Sequence, residues 1–500
     1  MIASFLGLLM VAWFIVRRPL GAFALIFLLV TFTWRLVAAA YLDVMGPLYS
    51  YEADRMVGGG IAAEFFGMTI ILTIAVMAYI FRPAYFAGKV SSALRPSTAS
   101  RTGFSLGDGV FWLSTLYVIG LFTDMLLRGV IPLFDCMERY EYLSDYAGPL
   151  HLALFKYGPL LALHLGTFCV YPRLRWGSYD YRFMLMLVIL LFYSALTGSR
   201  FSAFYSLSLF FIMPFSLVLA LKLYGDLPPL DKRTTFVGRF LDHPLLLAIL
   251  GLVLVVIVSF TMVHSYANVR AEGGCKDTLR MSMNNLDSPI AVAAMNQKRV
   301  ETLNYILDTQ GTVARFLDPK TLFRIEQRIL VQPIHMWFMT WDRVVERYDR
   351  DPAGAFDFVF DHDNARQGNR SIQYLMSRTL PAERAAYLRS VGNQFAGGYP
   401  EIFYELLGPW FAWLAIALFA AVTALLLRHW LLSLLRGHFL TAFFAAYVYY
   451  AFLVMYIGGM LNFLIVLTFW TKVALLVFLS WYELRRSNQG RPLMPWRFGR

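Results

Sequence analysis

The chain has 500 residues, of which 58% are hydrophobic and 15% are charged, and its mean hydropathy is +0.56. Because soluble domains are about a quarter charged and less than half apolar, this composition argues against an ordinary soluble protein. The formal net charge of +12 lies mostly in short loops beside apolar segments, and no separate basic domain carries a groove-reading motif, which argues against nucleic-acid binding.

Eleven apolar segments approach the length of about 20 residues that crosses a bilayer. They lie at about 2–16, 20–42, 61–81, 110–127, 148–171, 183–198, 201–224, 245–264, 405–427, 439–458 and 461–482. Only helices or closed barrels satisfy their backbone in lipid, and the alternating pattern of a barrel is absent. The sequence therefore predicts an all-α polytopic integral membrane protein with about 11 transmembrane helices. The first segment lacks a basic n-region and a cleavage site, so we expect a retained span.

Lysine and arginine are distributed unevenly between alternate loops. One set of loops is basic, whereas the opposite short loops are poor in both residues and two of them are acidic. The positive-inside rule then places the N-terminus outside the cytoplasm and the C-terminus inside it, in agreement with eleven spans. The predicted domains are a membrane region at 1–264 with about eight helices, an extracytoplasmic loop domain at 265–404, a membrane region at 405–483 with about three helices, and a cytoplasmic tail at 484–500.

The first candidate site residue is Arg200, in the tight turn Thr197-Gly198-Ser199-Arg200 between the sixth and seventh segments. This turn places the guanidinium at or inside the outer membrane interface, where burial of a cation costs up to about 2.5–3.5 kcal/mol. The planar fork of an arginine suits the oxygens of a pyrophosphate. An arginine that only snorkels to the interface is the alternative.

A second set of candidates lies in Pro319–Tyr348, where the extracytoplasmic loop has helical periodicity. At 100° per residue, Arg324, Arg328 and His335 share one face of this helix. The opposite face is apolar and aromatic: Phe323, Leu330, Trp337 and Trp341. Pro333 is expected to break or kink the helix. The charged face would suit a pyrophosphate beside a proton acceptor, and an amphipathic helix on the membrane surface is the alternative.

The third set of candidates enters the ninth segment. Gly397-Gly398 predicts a turn, and Pro400 suits the first position of a helix. Glu401 and Glu405 then lie one turn apart near the interface, where a carboxylate would deprotonate a sugar hydroxyl. Acidic residues also stabilise helix N-termini, which is the alternative for both.

Other signals are weaker. Asp361-His362-Asp363 resembles the Asp-x-Asp of metal-dependent sugar-nucleotide transferases, but it falls in the predicted loop Asp349–Arg370 without a ligand cluster. We therefore predict no metal site. Charged residues inside apolar segments are usually functional or mutually paired. Four such residues stand out: Arg35, Asp124, Lys156 and Lys472.

Three stretches together resemble the Wzy-type O-antigen and oligosaccharide repeat-unit polymerases. The first is Gly129-Val-Ile-Pro-Leu-Phe followed by Arg139 and Gly148, which is similar to an outer loop of that family. The second is Thr197-Gly198-Ser199-Arg200, which is similar to the family's Gly-Ser/Thr-Arg turn. The third is the long outer loop that closes with Gly397-Gly398-Tyr399-Pro400 and Gly408, which is similar to the family's major periplasmic loop. The Arg-x10-Gly repeat of some members is matched once, by Arg343 and Gly354, and this match adds little.

The resemblance implies a GT-C-like fold at the periplasmic face of a bacterial inner membrane, with undecaprenyl-pyrophosphate-linked glycans as donor and acceptor. It implies no cofactor, and it implies a chain-length regulator and a flippase of the same pathway as partners. Undecaprenyl pyrophosphate would leave as the acceptor hydroxyl attacks the donor's anomeric carbon. The implied roles are pyrophosphate binding by Arg200, Arg324 and Arg328, a catalytic base among His335, Glu401 and Glu405, and substrate binding by Arg139, Gln332, Trp337 and Tyr399. Trp337 and Trp341 suit membrane-interface anchors equally well.

Three other functions stay open from the sequence. An O-antigen ligase, which transfers glycan to lipid A core, shares the long outer loop and the arginine chemistry. A flippase for lipid-linked oligosaccharides would be expected to show more spans and internal repeats. A non-catalytic partner of other glycan machinery is compatible with the same pattern.

Overall fold

The structure is a computed structural model, and it describes residues 2–50, 55–59, 61–86, 90, 106–135, 142–198, 201–225, 227–229, 241–243, 326–363, 371–382, 385 and 397–488. Most of these residues are helical. The helices are α1 Ile2–Arg17, α2 Pro19–Ala24, α3 Ile26–Met45, α4 Ala62–Ile80, α5 Leu106–Leu127, α6 Pro149–Trp176, α7 Arg182–Leu196, α8 Phe201–Ile212, α9 Ser216–Tyr224, α10 His335–Trp341, α11 Pro352–Phe360, α12 Ser371–Thr379, α13 Glu401–Arg436, α14 Phe439–Gly458 and α15 Leu467–Asn488. Two short strands, β1 Leu48–Ser50 and β2 Arg55–Val57, pair antiparallel between α3 and α4.

The apolar helices confirm the helical multi-pass character that the composition predicts. Within the described ranges, eight helices are long and apolar enough to cross a membrane. They are α3, α4, α5, α6, the α8–α9 pair, α13, α14 and α15. Helices α1 and α7 are apolar but shorter. The predicted segment at 245–264 lies outside the described residues.

Three predicted segments differ from the observed helices. The segment at 20–42 is divided into α2 and α3, because Leu25 leaves helical geometry. The segment at 201–224 is interrupted by a 3₁₀ turn, Met213–Phe215, where Pro214 lacks the N–H that continues an α-helix. The segment at 405–427 is the middle of the longer helix α13. Hydropathy identifies the apolar stretches correctly, but it does not predict where the helical backbone is interrupted.

Helix α13 reverses direction at Gly408. This residue has φ 79° and ψ 170°, a region of backbone space that is essentially restricted to glycine. The aromatic rings of Phe403 and Phe419, on either side of the break, lie only 5.3 Å apart. In a straight helix, sixteen residues would separate them by about 24 Å. The residues before Gly408 therefore form a short helix that packs back against the long helix after it.

This short helix starts deep in the bundle. The hydroxyls of Tyr399 and Thr73 share a hydrogen bond of 2.6 Å, and the hydroxyl of Tyr404 bonds Thr69, one turn nearer the start of α4. Thr73 lies about 17 Å along α4 from its first residue. From Tyr399, at about half the length of α4, the chain thus runs toward the start of α4 before it reverses at Gly408. We call residues 397–407 the re-entrant segment.

The described part of the predicted loop domain packs on the membrane helices and shares their core. The ring of Trp337 stacks on Phe66 of α4 at 5.5 Å, and Trp34 of α3 donates a hydrogen bond to the carbonyl of Ile329. Residues 326–363 therefore cover the same end of the bundle at which the re-entrant segment enters.

The secondary structure predicted for this loop is partly wrong. The predicted helix Pro319–Tyr348 is interrupted by a turn at residues 332–334, as the position of Pro333 predicts, and π-helical turns flank α10. The predicted loop Asp349–Arg370 contains helix α11. Asp351 caps that helix, since its side chain accepts a hydrogen bond from the amide of Gly354 at 2.9 Å.

Candidate functional site

The turn that opens the re-entrant segment is held against α3 and α14. Gly397 and Gly398 have φ values of 141° and 103°, so the predicted turn is present. A Cβ on Gly398 would lie 2.7 Å from the carbonyl oxygen of Gly458, and this close approach requires glycine. The carbonyl of Tyr399 accepts a hydrogen bond of 2.6 Å from Arg35 of α3. The predicted substrate residue Tyr399 is fully buried in this turn.

Glu401 follows the turn and is also fully buried. Within the described part of the chain, neither carboxylate oxygen makes a hydrogen bond of good geometry, although the amides of Gly398 and of Glu401 itself face the group. Arg35, only 4% exposed, supplies the positive charge that acts on it, without ion-pair contact between the two. Buried charges are costly unless they are paired and hydrogen-bonded. The Glu401 carboxylate therefore keeps its hydrogen-bonding capacity free, beside a buried guanidinium of opposite charge.

Helix α10 covers this site. The side chain of Met336 and Oε1 of Glu401 lie 3.2 Å and 3.0 Å from the position that a Cβ on Gly397 would occupy. Met336 is itself fully buried. In this conformation the carboxylate is closed off from solvent.

Glu405 has a different environment, although it lies only one turn further on. Both of its oxygens accept hydrogen bonds from the guanidinium of Arg343, and Oε1 also accepts from the amide of Asp351 at 2.9 Å. Both members of this ion pair are buried. A carboxylate saturated by a guanidinium and an amide is poorly suited to accept a proton from a substrate. The geometry therefore assigns Glu405 to fastening the re-entrant segment rather than to the catalytic role expected from the sequence.

His335 and Trp337 are two residues apart in α10 and therefore lie on opposite sides of it, as the helical wheel predicts, but neither side is exposed. Both are fully buried, and the Nδ1 atom of His335 lies 3.2 Å from the hydroxyl of Ser50. The expected exposed face is missing because α10 is buried on both of these sides. Gln332, in the turn at residues 332–334, is half-buried. A fully buried Trp337 does not serve as an interface anchor or an open sugar platform in this conformation.

The predicted arginines are described only in part. Those outside the described residues are Arg139, Arg200 and Arg324. Arg328 belongs to the π-helical turn Gln327–Val331, and its side chain also lies outside the described set. The indole of Trp34 links this turn to α8: it bonds the carbonyl of Ile329, and it lies 6.4 Å from the ring of Tyr205.

A second polar cluster joins two of the stretches that carry the family resemblance. The amide of Leu133, in the loop after α5, donates to the carbonyl of Leu196, just before the Gly-Ser-Arg turn. Beneath this contact, Nδ1 of His151 lies 2.9 Å from the hydroxyl of Tyr193, and the ring of Tyr142 packs edge-on against the histidine. The structure therefore brings these two stretches together.

The Asp-x-Asp stretch is exposed in the structure. In the ranges described above, no group of three His, Cys, Asp or Glu side chains is arranged to hold a metal ion.

Two residues of this site were not assigned a role by the sequence. Arg35 stands out only as a charge inside an apolar segment, a signal that marks a functional site without naming its partner. Arg343 occurs in the sequence only as part of a weak Arg-x10-Gly match, whereas in the structure it is the partner of Glu405.

Comparison with known proteins adds one match. Residues 365–471 match a family of unknown function, DUF6418. This range contains the re-entrant segment, the break at Gly408 and helix α14. No curated protein matches the chain, and no solved structure matches it.

Proposed function

We propose that the protein is a glycosyltransferase of the bacterial inner membrane, which polymerises undecaprenyl-pyrophosphate-linked repeat units into O-antigen or a related surface polysaccharide at the periplasmic face. The observation that carries this proposal is the buried carboxylate of Glu401 facing the guanidinium of Arg35 at the tip of the re-entrant segment. The distribution of basic loops supports a placement of this end of the bundle outside the cytoplasm.

The two groups match the two needs of the reaction. An acceptor hydroxyl loses its proton as it forms the new bond to the donor's anomeric carbon, and Glu401 is positioned to take that proton. The bond from the anomeric carbon to the pyrophosphate breaks, and the negative charge on the leaving group needs preorganised cations. Arg35 supplies one such cation, and the predicted Arg200, Arg324 and Arg328 would supply others without a metal ion.

Substrates would reach these groups only after α10 moves. Closing of a cover over a reactive site excludes water, which strengthens the charge interactions inside it. Helix α10 is the element that would move, because Met336 borders both Gly397 and Glu401.

A transporter for lipid-linked oligosaccharides is the second candidate. Transporters place broken helices around buried charged sites, and α13 is broken at Gly408 beside the pair formed by Arg35 and Glu401. A ligase that transfers glycan to lipid A core would use the same chemistry with a different acceptor.

The direct test uses purified protein supplied with lipid-linked repeat units, in the presence of EDTA. We expect extension of the glycan by the wild type and loss of extension in Glu401→Gln. Glu483→Gln is the matched control, because Glu483 is also a buried glutamate but accepts from the amide of Thr441 at the opposite end of the bundle. Wild-type protein that moves lipid-linked glycan across vesicles without extending it would favour the transporter.

Deletion strains separate the polymerase from the ligase. Loss of a polymerase leaves lipid A core capped by a single repeat unit, whereas loss of a ligase leaves bare core. Reporter fusions near residues 340 and 495 should report opposite compartments, and a common compartment for both would contradict the placement of the site outside the cytoplasm.

A further inference from the structure

Two lysines inside membrane-crossing helices have no role in the site described above. Lys156 belongs to α6 and Lys472 to α15, and no carboxylate of the described residues forms an ion pair with either. An ammonium within a bilayer is costly, and such residues usually mark a binding site or a transport pathway. Lys156 is exposed at the surface of the bundle and Lys472 is partly exposed.

A row of tyrosines connects the two lysines. The ammonium of Lys156 lies 5.3 Å from the ring centre of Tyr157, and that of Lys472 lies 5.1 Å from the ring centre of Tyr447. The rings of Tyr157 and Tyr447 are 6.2 Å apart. The hydroxyl of Tyr450 donates to the carbonyl of Lys156 at 2.8 Å. These five residues form one continuous row across α6, α14 and α15, and we call this row the lysine groove.

The lysine groove opens toward the end of the bundle that holds the re-entrant segment. Lys156 and Lys472 lie about 10 Å and 8 Å from the first residues of α6 and α15. Helical side chains lean toward the N-terminus of their helix, so both ammonium groups lean toward the same membrane surface. Gly458, at the C-terminal end of α14, contacts Gly398 of the re-entrant segment.

The chemistry of the lysine groove suits one class of ligand. Two cations that form no ion pair with a described carboxylate attract an anion, and tyrosine rings and methylene stems accept an acyl or prenyl chain. The position, within about 10 Å of the first residues of α6 and α15 and exposed at the side of the bundle, suits the entry of a lipid headgroup. We propose that the lysine groove binds the phosphate of an anionic lipid that arrives laterally from the bilayer. This inference goes beyond the proposed function, because it concerns binding and does not require glycan transfer.

Two lipids could supply such a phosphate: a lipid-linked pyrophosphate and an ordinary anionic phospholipid. Native mass spectrometry of the full-length protein can measure both, with undecaprenyl pyrophosphate and phosphatidylglycerol as probes and phosphatidylcholine as the neutral-headgroup comparison. We expect Lys156→Gln combined with Lys472→Gln to weaken anionic-lipid binding about a hundred-fold, since each charge-assisted contact contributes roughly ten-fold. Preference for undecaprenyl pyrophosphate would identify a lipid-linked substrate, and equal loss for both probes would identify a general phospholipid phosphate.

Two control variants make the test specific. Lysine-to-arginine changes at both positions keep the cations and should keep binding. Arg486→Gln removes a cation that lies 5.1 Å from the ring of Tyr482 at the other end of α15, and it should leave binding unchanged. The glutamine variant should fold at least as well as the wild type, because it removes charge from the bilayer. Unchanged binding of both anionic probes by the glutamine variant would overturn the proposal, whatever the result for glycan transfer.

Discussion

The ion pair between Arg343 and Glu405 offers a quantitative test of which carboxylate is structural. Its side chains are 6% and 0% exposed, and the guanidinium contacts both carboxylate oxygens. Removal of one partner from a buried pair costs about 3–5 kcal/mol, because the other charge stays buried without compensation. We expect the loss of stability in Glu405→Gln to lie near the lower end of this range, since Arg343 keeps its 2.6 Å hydrogen bond to the carbonyl of Asp349.

The neighbouring pair Arg347–Asp342 is a matched control. It also joins an arginine and an acid through a contact of 2.8 Å, but its side chains are 65% and 31% exposed. Exposed pairs contribute about 0–1 kcal/mol because water screens them and competes for both groups. Asp342→Asn should therefore change the free energy of unfolding by at most about 1 kcal/mol.

Reversible unfolding in mixed micelles, followed by tryptophan fluorescence, measures both variants on the same scale. Arg343→Met combined with Glu405→Leu removes both charges and should recover most of the loss, since apolar replacements of a whole buried pair are often neutral or stabilising. If Glu405→Gln costs no more than Asp342→Asn, or if the double replacement is worse than either single change, the assignment of Glu405 to fastening the segment is wrong. Glu401→Gln is expected to abolish glycan extension without a comparable loss of stability, because its carboxylate has no such pair to lose.

Three further predictions follow from individual residues. Gly408→Ala should lower the free energy of unfolding by about 1–3 kcal/mol through backbone strain, and it should also displace the guanidinium of Arg350, 2.6 Å from the new Cβ. Gly46→Ala is the control: Gly46 has φ 81°, but its new Cβ meets no atom within 4 Å, so unfolding of this variant measures the strain alone. The Arg200→Lys variant should insert normally yet leave the glycan chains short, with polymerisation slowed roughly ten- to a hundred-fold, because lysine lacks the planar fork of a guanidinium. If the variant makes full-length glycan at the same membrane abundance as the wild type, Arg200 is an interface anchor. Hydrogen bonds from the amide of Gly354 and from the hydroxyl of Tyr374 lower the pKa of Asp351. The ionised carboxylate therefore contributes stability above the ordinary aspartate pKa, and this contribution is lost as pH falls through the lowered pKa. In pH-dependent unfolding curves, the difference in the free energy of unfolding between the wild type and Asp351→Asn should vanish below the lowered pKa.

Much of the helical framework could be predicted from the sequence, since it depends on local patterns. A span requires about 20 apolar residues, and the segments that became α4, α5 and α14 lie within a few residues of their predicted limits. The glycine turn at Gly397-Gly398 and the break at Pro333 were also predictable, because they follow from the backbone freedom of glycine and the missing donor of proline.

The reversal at Gly408 depends on tertiary structure. Its sequence context is an apolar stretch that hydropathy treats as the start of an ordinary span. The positive φ becomes favourable only because Phe403 can then pack on Phe419 and Tyr399 can reach Thr73. The local sequence pattern predicts neither contact, and the re-entrant segment was therefore not predicted.

Glu401 and Glu405 show most clearly what the sequence determines and what only the tertiary structure decides. One turn apart, they have the same local signals, and the sequence by itself determined only that two carboxylates enter the bundle here. The fold decided that Arg343, 62 residues away, saturates one of them, while Arg35, on α3, stands beside the other without contact. The physical reason is that a charge acquires its role from the partners that surround it in space, and in this protein those partners come from distant parts of the chain.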